Sequence, residues 1–163
     1  MKMAIDEKAL DFEISEKPFK RILVAVDEDD SDSSIRAFQF AVTMAKRNQA
    51  VLGIVSVLEL QDLNVFETLS PEKINKLRQN LANDVNVYAR QAQKHGVAEI
   101  VQLTAEGRPG AAIIGEVIPE FKPDILICGS KSKPVNSRQR IFIGSQASYM
   151  AQNAPCSVLV IRK

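Results

Sequence analysis

Five short apolar runs recur along the chain and alternate with segments of helical spacing. They are rich in β-branched residues and occupy residues 21–26, 50–58, 97–104, 125–128 and 157–161. A run without polar alternation predicts a strand that is covered on both faces. Strands that alternate with helices predict a parallel sheet with right-handed crossovers. The sequence therefore predicts an α/β fold of three layers, with helices on both faces of a doubly wound, five-stranded parallel sheet.

Two strand orders suit such a sheet, 2-1-3-4-5 and 3-2-1-4-5. In both, ligands bind beyond the carboxyl ends of the strands, where the winding direction reverses. We favour 3-2-1-4-5, because it places side by side the two turns that are richest in charged and hydroxyl side chains. These turns are residues 27–34 after the first strand and residues 129–140 after the fourth.

The intervening segments carry helix signals of their own. Ser70 and Pro71 are typical of a helix start, and the long helix that follows is expected to end at Gly96. A short helix after Pro109 is expected to be stopped by Pro119 and Pro123, because proline interrupts a regular helix. Another helix is predicted to begin at Gly144.

Composition narrows the class of protein. A chain of 163 residues predicts one domain, here residues 19–163, preceded by an arm of residues 1–18. The net charge of +1 gives no general attraction to nucleic acids or to membranes, and no apolar run is long enough to span a bilayer. The acidic N-terminus lacks the apolar region of a signal peptide, and two cysteines within apolar runs suit a reducing compartment. We expect a cytoplasmic location.

The N-terminal arm is open to two interpretations. Leu10, Phe12 and Ile14 alternate like a short strand, which would lie on a sheet edge or on a partner subunit. The alternative is a mobile tail.

The turn after the fourth strand has the composition of an anion-binding loop. Gly129 ends the strand, and Gly144 opens a helix whose first N–H groups can bind phosphate. Cations and no acid occupy the loop between them, so charge would assist phosphate binding. The alternative is a solvated basic loop. Its cations are Lys131, Lys133, Arg138 and Arg140.

The turn after the first strand is acidic. Asp27 stands at the end of the strand, where its carboxylate suits a hydrogen bond to a ribose or a base; the alternative role is that of a helix N-terminal acid. Asp29 and Asp30 belong to the same acidic group, which could hold Mg²⁺ together with a nucleotide. The competing interpretation of these two residues is a solvated helix start.

Six segments in order along the chain form a recognisable pattern: residues 22–27, 34–37 with Ala41, 107–109, 127–130, 144–145 and 154–162. With these segments, most of the chain resembles the universal stress protein family, of the adenine-nucleotide α-hydrolase-like architecture. The resemblance implies a Rossmann-like 3-2-1-4-5 sheet. It also implies a homodimer, often made by pairing of the C-terminal strand with its two-fold mate.

Nucleotide-binding members of this family carry G-x2-G-x9-G-[S/T] after the fourth strand. Here Gly129 matches the first glycine, Ser132 stands at the second, and 11 residues separate Ser132 from Gly144. The resemblance implies that Asp27 contacts ribose or adenine and that the apolar residues of the set line the base pocket. The predicted nucleotide-binding residues are Ala25, Val26, Asp27, Val57, Cys128, Gly129, Lys131, Ser132, Arg138, Arg140, Gly144, Ser145 and Gln146.

Two functions follow from this pattern. The first is a dimeric stress-response regulator that binds ATP or AMP, with Mg²⁺ if ATP, in the crevice between the first and fourth strands. Binding would order the basic loop and change a surface that a protein partner reads. The alternative is a dimeric interaction module of the same family that binds no nucleotide. No nucleophile–base pair is visible, so the sequence favours no catalysis or, at most, weak ATP hydrolysis.

Overall fold

The sheet forms from the five apolar runs. Its strands are β1 (Arg21–Ala25), β2 (Val51–Leu58), β3 (Ile100–Glu106), β4 (Ile125–Gly129) and β5 (Ser157–Ile161), as described by a computed structural model. All neighbouring pairs are parallel and the order is β3-β2-β1-β4-β5. The 3-2-1-4-5 prediction is confirmed, and the 2-1-3-4-5 alternative is wrong.

The structure describes residues 11–27, 31–60, 63, 70–130 and 144–162. Eight residues singled out from the sequence lie outside these ranges. They are Leu10, Asp29, Asp30, Lys131, Ser132, Lys133, Arg138 and Arg140.

In the part of the chain that the structure describes, four helical segments cover the two faces of the sheet. They are α1 (Ser31–Asn48), α2 (Pro71–Lys94), a third segment α3 and α4 (Ser145–Asn153). The α3 segment runs continuously through Pro109–Ala112, Ile113–Val117 and Ile118–Phe121. No helix among the described residues has the length and apolar character needed to cross a membrane.

Alternate side chains of each central strand enter two separate cores. Ile22 and Val24 pack under α1 and α2, whereas Leu23 between them packs under α3 and α4. All three are fully buried. Burial of one such side chain is worth about 1.5–3 kcal/mol, so the continuous apolar run in β1 stabilises both layers at once.

Two predicted boundaries differ from the structure by more than a residue or two. The strand β3 begins at Ile100, because Gly96 (φ 98°) turns the chain and the Val97 N–H donates to the Ala92 carbonyl at 3.1 Å. The α3 helix continues through Pro119 and ends at Phe121, before Pro123. A wider π-helical turn, Ile113–Val117, precedes Pro119, and such a turn relieves the clash that the ring would make with the preceding carbonyls.

The described part of the arm forms no strand. Residues 11–19 are irregular, and Phe12 and Ile14 are 73% and 90% exposed. These two residues therefore form no edge strand within the chain, and the strand on a partner subunit stays a prediction. The chain becomes anchored only at Lys20 and Arg21, whose backbone N–H groups both donate to one carboxylate oxygen of Asp124, at 2.7 and 2.9 Å.

Gly53 in β2 provides a test of the packing beneath α3. A Cβ there would lie 2.8 Å from the tip of the Phe121 ring. This ring is buried beneath the Arg21 guanidinium, which also donates to the Phe121 carbonyl. Because the ring has little room to move, we expect Gly53→Ala to lower the free energy of unfolding by about 1–3 kcal/mol in urea titrations.

Gly115→Ala is the matched control. A Cβ at Gly115 would meet nothing within 4 Å, and the residue is exposed in a helix. The free energy of unfolding should stay constant or rise by up to about 1 kcal/mol. Equal stabilities for Gly53→Ala and Gly115→Ala would contradict the packing described here.

Candidate functional site

A cavity of about 580 Å³ opens at the carboxyl ends of β1 and β4. Its volume is in the range of small-molecule sites, and its walls combine strand ends with the start of α4. Nine of the predicted nucleotide-binding residues line it together: Ala25, Val26, Asp27, Val57, Cys128, Gly129, Gly144, Ser145 and Gln146. All the predicted site residues that the structure describes are therefore in one place.

Asp27 is held in place by the first turn of α1. The Asp27 N–H donates to the Ser34 hydroxyl oxygen at 2.7 Å, and the same hydroxyl donates to the Asp27 carbonyl at 3.1 Å. Ser34 is buried. The end of β1 is thus joined to α1 by one side chain, and the Asp27 carboxylate is carried on a backbone that is fixed at the cavity wall.

Gly129 is required by packing. A Cβ at this position would lie 1.8 Å from the Ser33 hydroxyl oxygen and 2.6 Å from the Ser33 carbonyl oxygen. No side chain fits there unless α1 moves away from β4. From the sequence, Gly129 was assigned to a loop that binds phosphate. The structure gives a second reason for a glycine here, because the end of β4 directly contacts the start of α1.

The start of α4 contributes free backbone donors to the cavity wall. Gly144 precedes the helix with φ 86°, and the first helical bond runs from the Ser148 N–H to the Gly144 carbonyl at 3.0 Å. The N–H groups before Ser148 have no partner within the helix, which is the usual state of a helix N-terminus. The Gln146 side chain faces α3, where its oxygen accepts from the Gly110 N–H at 2.8 Å.

The two cysteines are free thiols in different surroundings. Cys128 is buried in the cavity wall, and burial raises its pKa to about 11. Cys156 is half-buried just before β5, and burial raises its pKa as well, while backbone hydrogen bonds oppose that rise. Cys128 pairs with Val160 in the sheet, so the thiols lie at opposite ends of adjacent strands.

Eight cavity-lining residues were not among the predicted site residues. Glu59 follows the end of β2, where its position alone could have signalled a site. Ile113 and Met150 have the spacing of ordinary core residues, so periodicity could not single them out. The full set missed is Ser33, Ser34, Val55, Glu59, Pro109, Ile113, Ala147 and Met150.

Metal-binding groups and the single histidine lie as follows. Among the described residues, no group of three or more His, Cys, Asp or Glu side chains is placed to hold a metal. His95 lies at the end of α2, where its backbone N–H donates to the Gln91 and Ala92 carbonyls, and it is not among the residues that line the cavity described above.

The protein has a doubly wound parallel sheet with a cavity at the topological switch point between β1 and β4. This architecture defines a class of α/β proteins that hold ligands at the carboxyl ends of their strands. The sequence identifies the family within it. The family description "Universal stress protein family" matches residues 18–162. The chain belongs to the universal stress protein family.

Individual relatives agree with this assignment. A Staphylococcus haemolyticus protein that carries the universal stress protein name is 31% identical over 144 residues, covering 88% of this chain and 85% of the relative. The solved structure of the universal stress protein UspA from Lactobacillus plantarum has 28% identity and a TM-score of 0.70, and the match covers 90% of this chain and all of that one.

A more distant structure shares the fold. It is the universal stress protein from Archaeoglobus fulgidus in complex with dAMP, with 20% identity and a TM-score of 0.60. The match covers 89% of this chain and 99% of that one.

Thiol reactivity tests the cavity wall. In the folded protein at pH 8 we expect a maleimide to modify Cys156 faster than Cys128. The reason is that Cys128 is 3% exposed and its pKa of about 11 leaves few thiolates at this pH. Mass spectrometry of quenched time points gives both rates.

Unfolding in urea is the control for intrinsic reactivity. There the two thiols should react at similar rates, since both the burial and the pKa shift are lost. Equal rates in the folded protein would show that Cys128 is open to solvent and would contradict the buried wall.

Proposed function

We propose that this chain is a stress-response protein that binds an adenine nucleotide, ATP or AMP, in the cavity between β1 and β4. Mg²⁺ would accompany ATP through the phosphates. The observation that carries the proposal is the convergence of nine predicted residues, from four separate segments of the chain, on one cavity of about 580 Å³.

The two ends of the cavity suit the two ends of a nucleotide. Val26, Val57 and Ile113 give an apolar wall for a flat base, while Asp27 offers a carboxylate for a ribose hydroxyl or an adenine amine. The start of α4 at Gly144 and Ser145 presents N–H groups and the positive end of the helix dipole to a phosphate. The cavity wall is therefore apolar where the base would bind and polar where the phosphates would bind.

Ligands of structural neighbours support the same class of molecule. The Archaeoglobus fulgidus protein is a complex with dAMP, an adenine nucleotide. Its identity to this chain is low and indicates a shared fold, so nucleotide binding by this chain is our proposal and depends on the geometry of its own cavity. The two free thiols are the chemical argument for the cytoplasmic location that we infer.

A thermal-shift titration with ATP, ATP plus Mg²⁺, and AMP tests the proposal. Nucleotide at 100 times its Kd should stabilise the fold by about 2.7 kcal/mol, which raises Tm by roughly 5–10 °C in a domain of this size. Ser145→Glu should abolish the shift, because its carboxylate stands where the phosphate would bind. The substitution itself favours the helix start and should leave the Tm of the free protein unchanged or slightly raised.

Ser145→Gln is the matched control, since it has the size of glutamate without the charge. It should keep most of the nucleotide shift. We chose position 145 because Gly144 has φ 86°, and any side chain there would strain the backbone. Absence of a shift with the unmodified chain at millimolar nucleotide would overturn the proposal and favour the interaction module without nucleotide.

We also propose a homodimer formed by the C-terminal strand. The Ser130 N–H donates to the Ile161 carbonyl, which points toward β4. Because successive residues of a strand point their backbone groups to opposite sides, those of Val160 point away from β4, to the edge of the sheet. Within the described residues β5 pairs with β4 alone, so this edge can receive the same strand of a second copy.

Val160→Pro should convert the dimer to a monomer. Proline removes the outward N–H at the sheet edge, where it is best tolerated, and leaves the pairing of Ile161 with β4 in place. Val160→Thr retains the N–H and the side-chain shape and should remain a dimer. Sedimentation velocity reports the mass; a dimer in both variants would place the interface elsewhere.

A further inference from the structure

A second cavity, of about 940 Å³, lies between α1 and α2 on the other face of the sheet. Residues at helical spacing line its two sides, among them Ile35, Phe38 and Val42 from α1 and Val87 and Tyr88 from α2. We call this the α1/α2 groove. The groove shares Val26 and Asp27, at the end of β1, with the first cavity. Neither the nucleotide proposal nor the β5 dimer uses the α1 and α2 side chains that line it.

The groove exposes apolar side chains to solvent. Ile35 is 44% exposed and Val87 is 56% exposed. Between the helices the rings of Phe38 and Tyr88 meet edge to face, with centroids 4.9 Å apart. An exposed apolar patch with an aromatic floor is typical of a surface that another group covers.

The N-terminal arm also carries apolar side chains that are exposed to solvent. Phe12 and Ile14 are 73% and 90% exposed on irregular backbone. In an extended segment, residues two apart point to the same side, so these two side chains can enter one groove together. The arm before residue 18 also lies outside the segment that matches the family, residues 18–162.

The arm starts at the same end of the molecule as one end of the groove. It leaves β1 at its N-terminal end, where parallel topology also places the last turns of α1 and α2. Phe19 packs against the core beneath these helices. Phe12 lies seven residues earlier, so extended chain can carry it up to about 23 Å from Phe19.

The end of the groove nearest the arm is flanked by basic side chains. The last turn of α1 carries Lys46 and Arg47, and the last turn of α2 carries Lys94. These three lie beside the groove and do not line it, whereas the carboxylates that line it, Asp27 and Asp84, lie farther from the helix ends. We call the flanked end the basic end of the groove. Lys46 reaches across to α2, since a Cβ built on Gly96 would be 3.4 Å from its Cε. The arm is acidic: residues 11–18 contain Asp11, Glu13 and Glu16 against a single lysine, Lys17.

We propose that Phe12 and Ile14 of one copy insert into the α1/α2 groove of a second copy, with the acidic residues of the arm facing the basic end of the groove. In the single chain both side chains remain exposed, although the arm is long enough to approach its own helices. Exchange between two copies pairs each arm with one groove and closes under two-fold symmetry. The proposal is independent of nucleotide binding.

Disulfide trapping tests the exchange. We would mix an isotope-labelled Ile14→Cys chain with an unlabelled Val87→Cys chain, both carrying Cys156→Ser, under mild oxidation. The remaining native thiol, Cys128, is buried. The expected product is a labelled–unlabelled dimer in which mass spectrometry finds the two introduced thiols, at positions 14 and 87, joined by a disulfide. Adding Phe12→Asp to the labelled chain should reduce the yield of the disulfide-linked dimer severalfold.

Ala82→Cys in place of Val87→Cys is the matched control. Ala82 is exposed on the same helix and does not line the groove, so its yield should be at least tenfold lower. Equal yields at positions 82 and 87, or no product, would overturn the proposal. So would an Ile14→Cys/Val87→Cys double variant that links within one chain at low protein concentration, since its own arm would then fill the groove.

Discussion

The pairing of β1 with β4 is the contact on which the candidate site depends. Ile22 lies opposite Ile125 and Val24 opposite Ile127, and this register brings the two strand ends to the same level. The chain reverses its winding direction here, so α1 leaves to one face of the sheet and α4 enters from the other. The cavity is the space left between them. It exists because two buried apolar strands, far apart in sequence, are neighbours.

Much of this arrangement follows from simple sequence rules. Continuous apolar runs predicted buried strands, and β5 occupies its predicted residues, Ser157–Ile161. Placing the two turns richest in charge next to each other favoured the observed strand order. The same step predicted which residues meet, because in a parallel sheet the residues after two adjacent strands share one edge. Asp27, Gly129 and Ser145 lie together for this reason.

Other features could not be read from local pattern. Helical spacing marks Ile35 and Val87 as members of an apolar face, but it does not show whether a neighbouring helix covers that face. Pro119 was expected to stop a helix, and the preceding π-helical turn let the helix continue to Phe121. A π-helical turn depends on backbone hydrogen bonds between residues that are several positions apart, so no single residue of the sequence predicts it. The roles of Asp29 and Lys131 remain predictions, since these residues lie outside the described ranges.

The contact between Gly129 and Ser33 has a consequence for how sequences of this family are interpreted. The first glycine of the G-x2-G-x9-G-[S/T] pattern is commonly taken as a ligand-binding signal. In this chain the helix start leaves no space for a Cβ at Gly129, whatever occupies the cavity. This chain would need the same glycine to keep α1 on β4 even if it bound no ligand. Gly129 is therefore explained by the architecture alone, and evidence for or against a ligand in this chain must come from other positions of the loop.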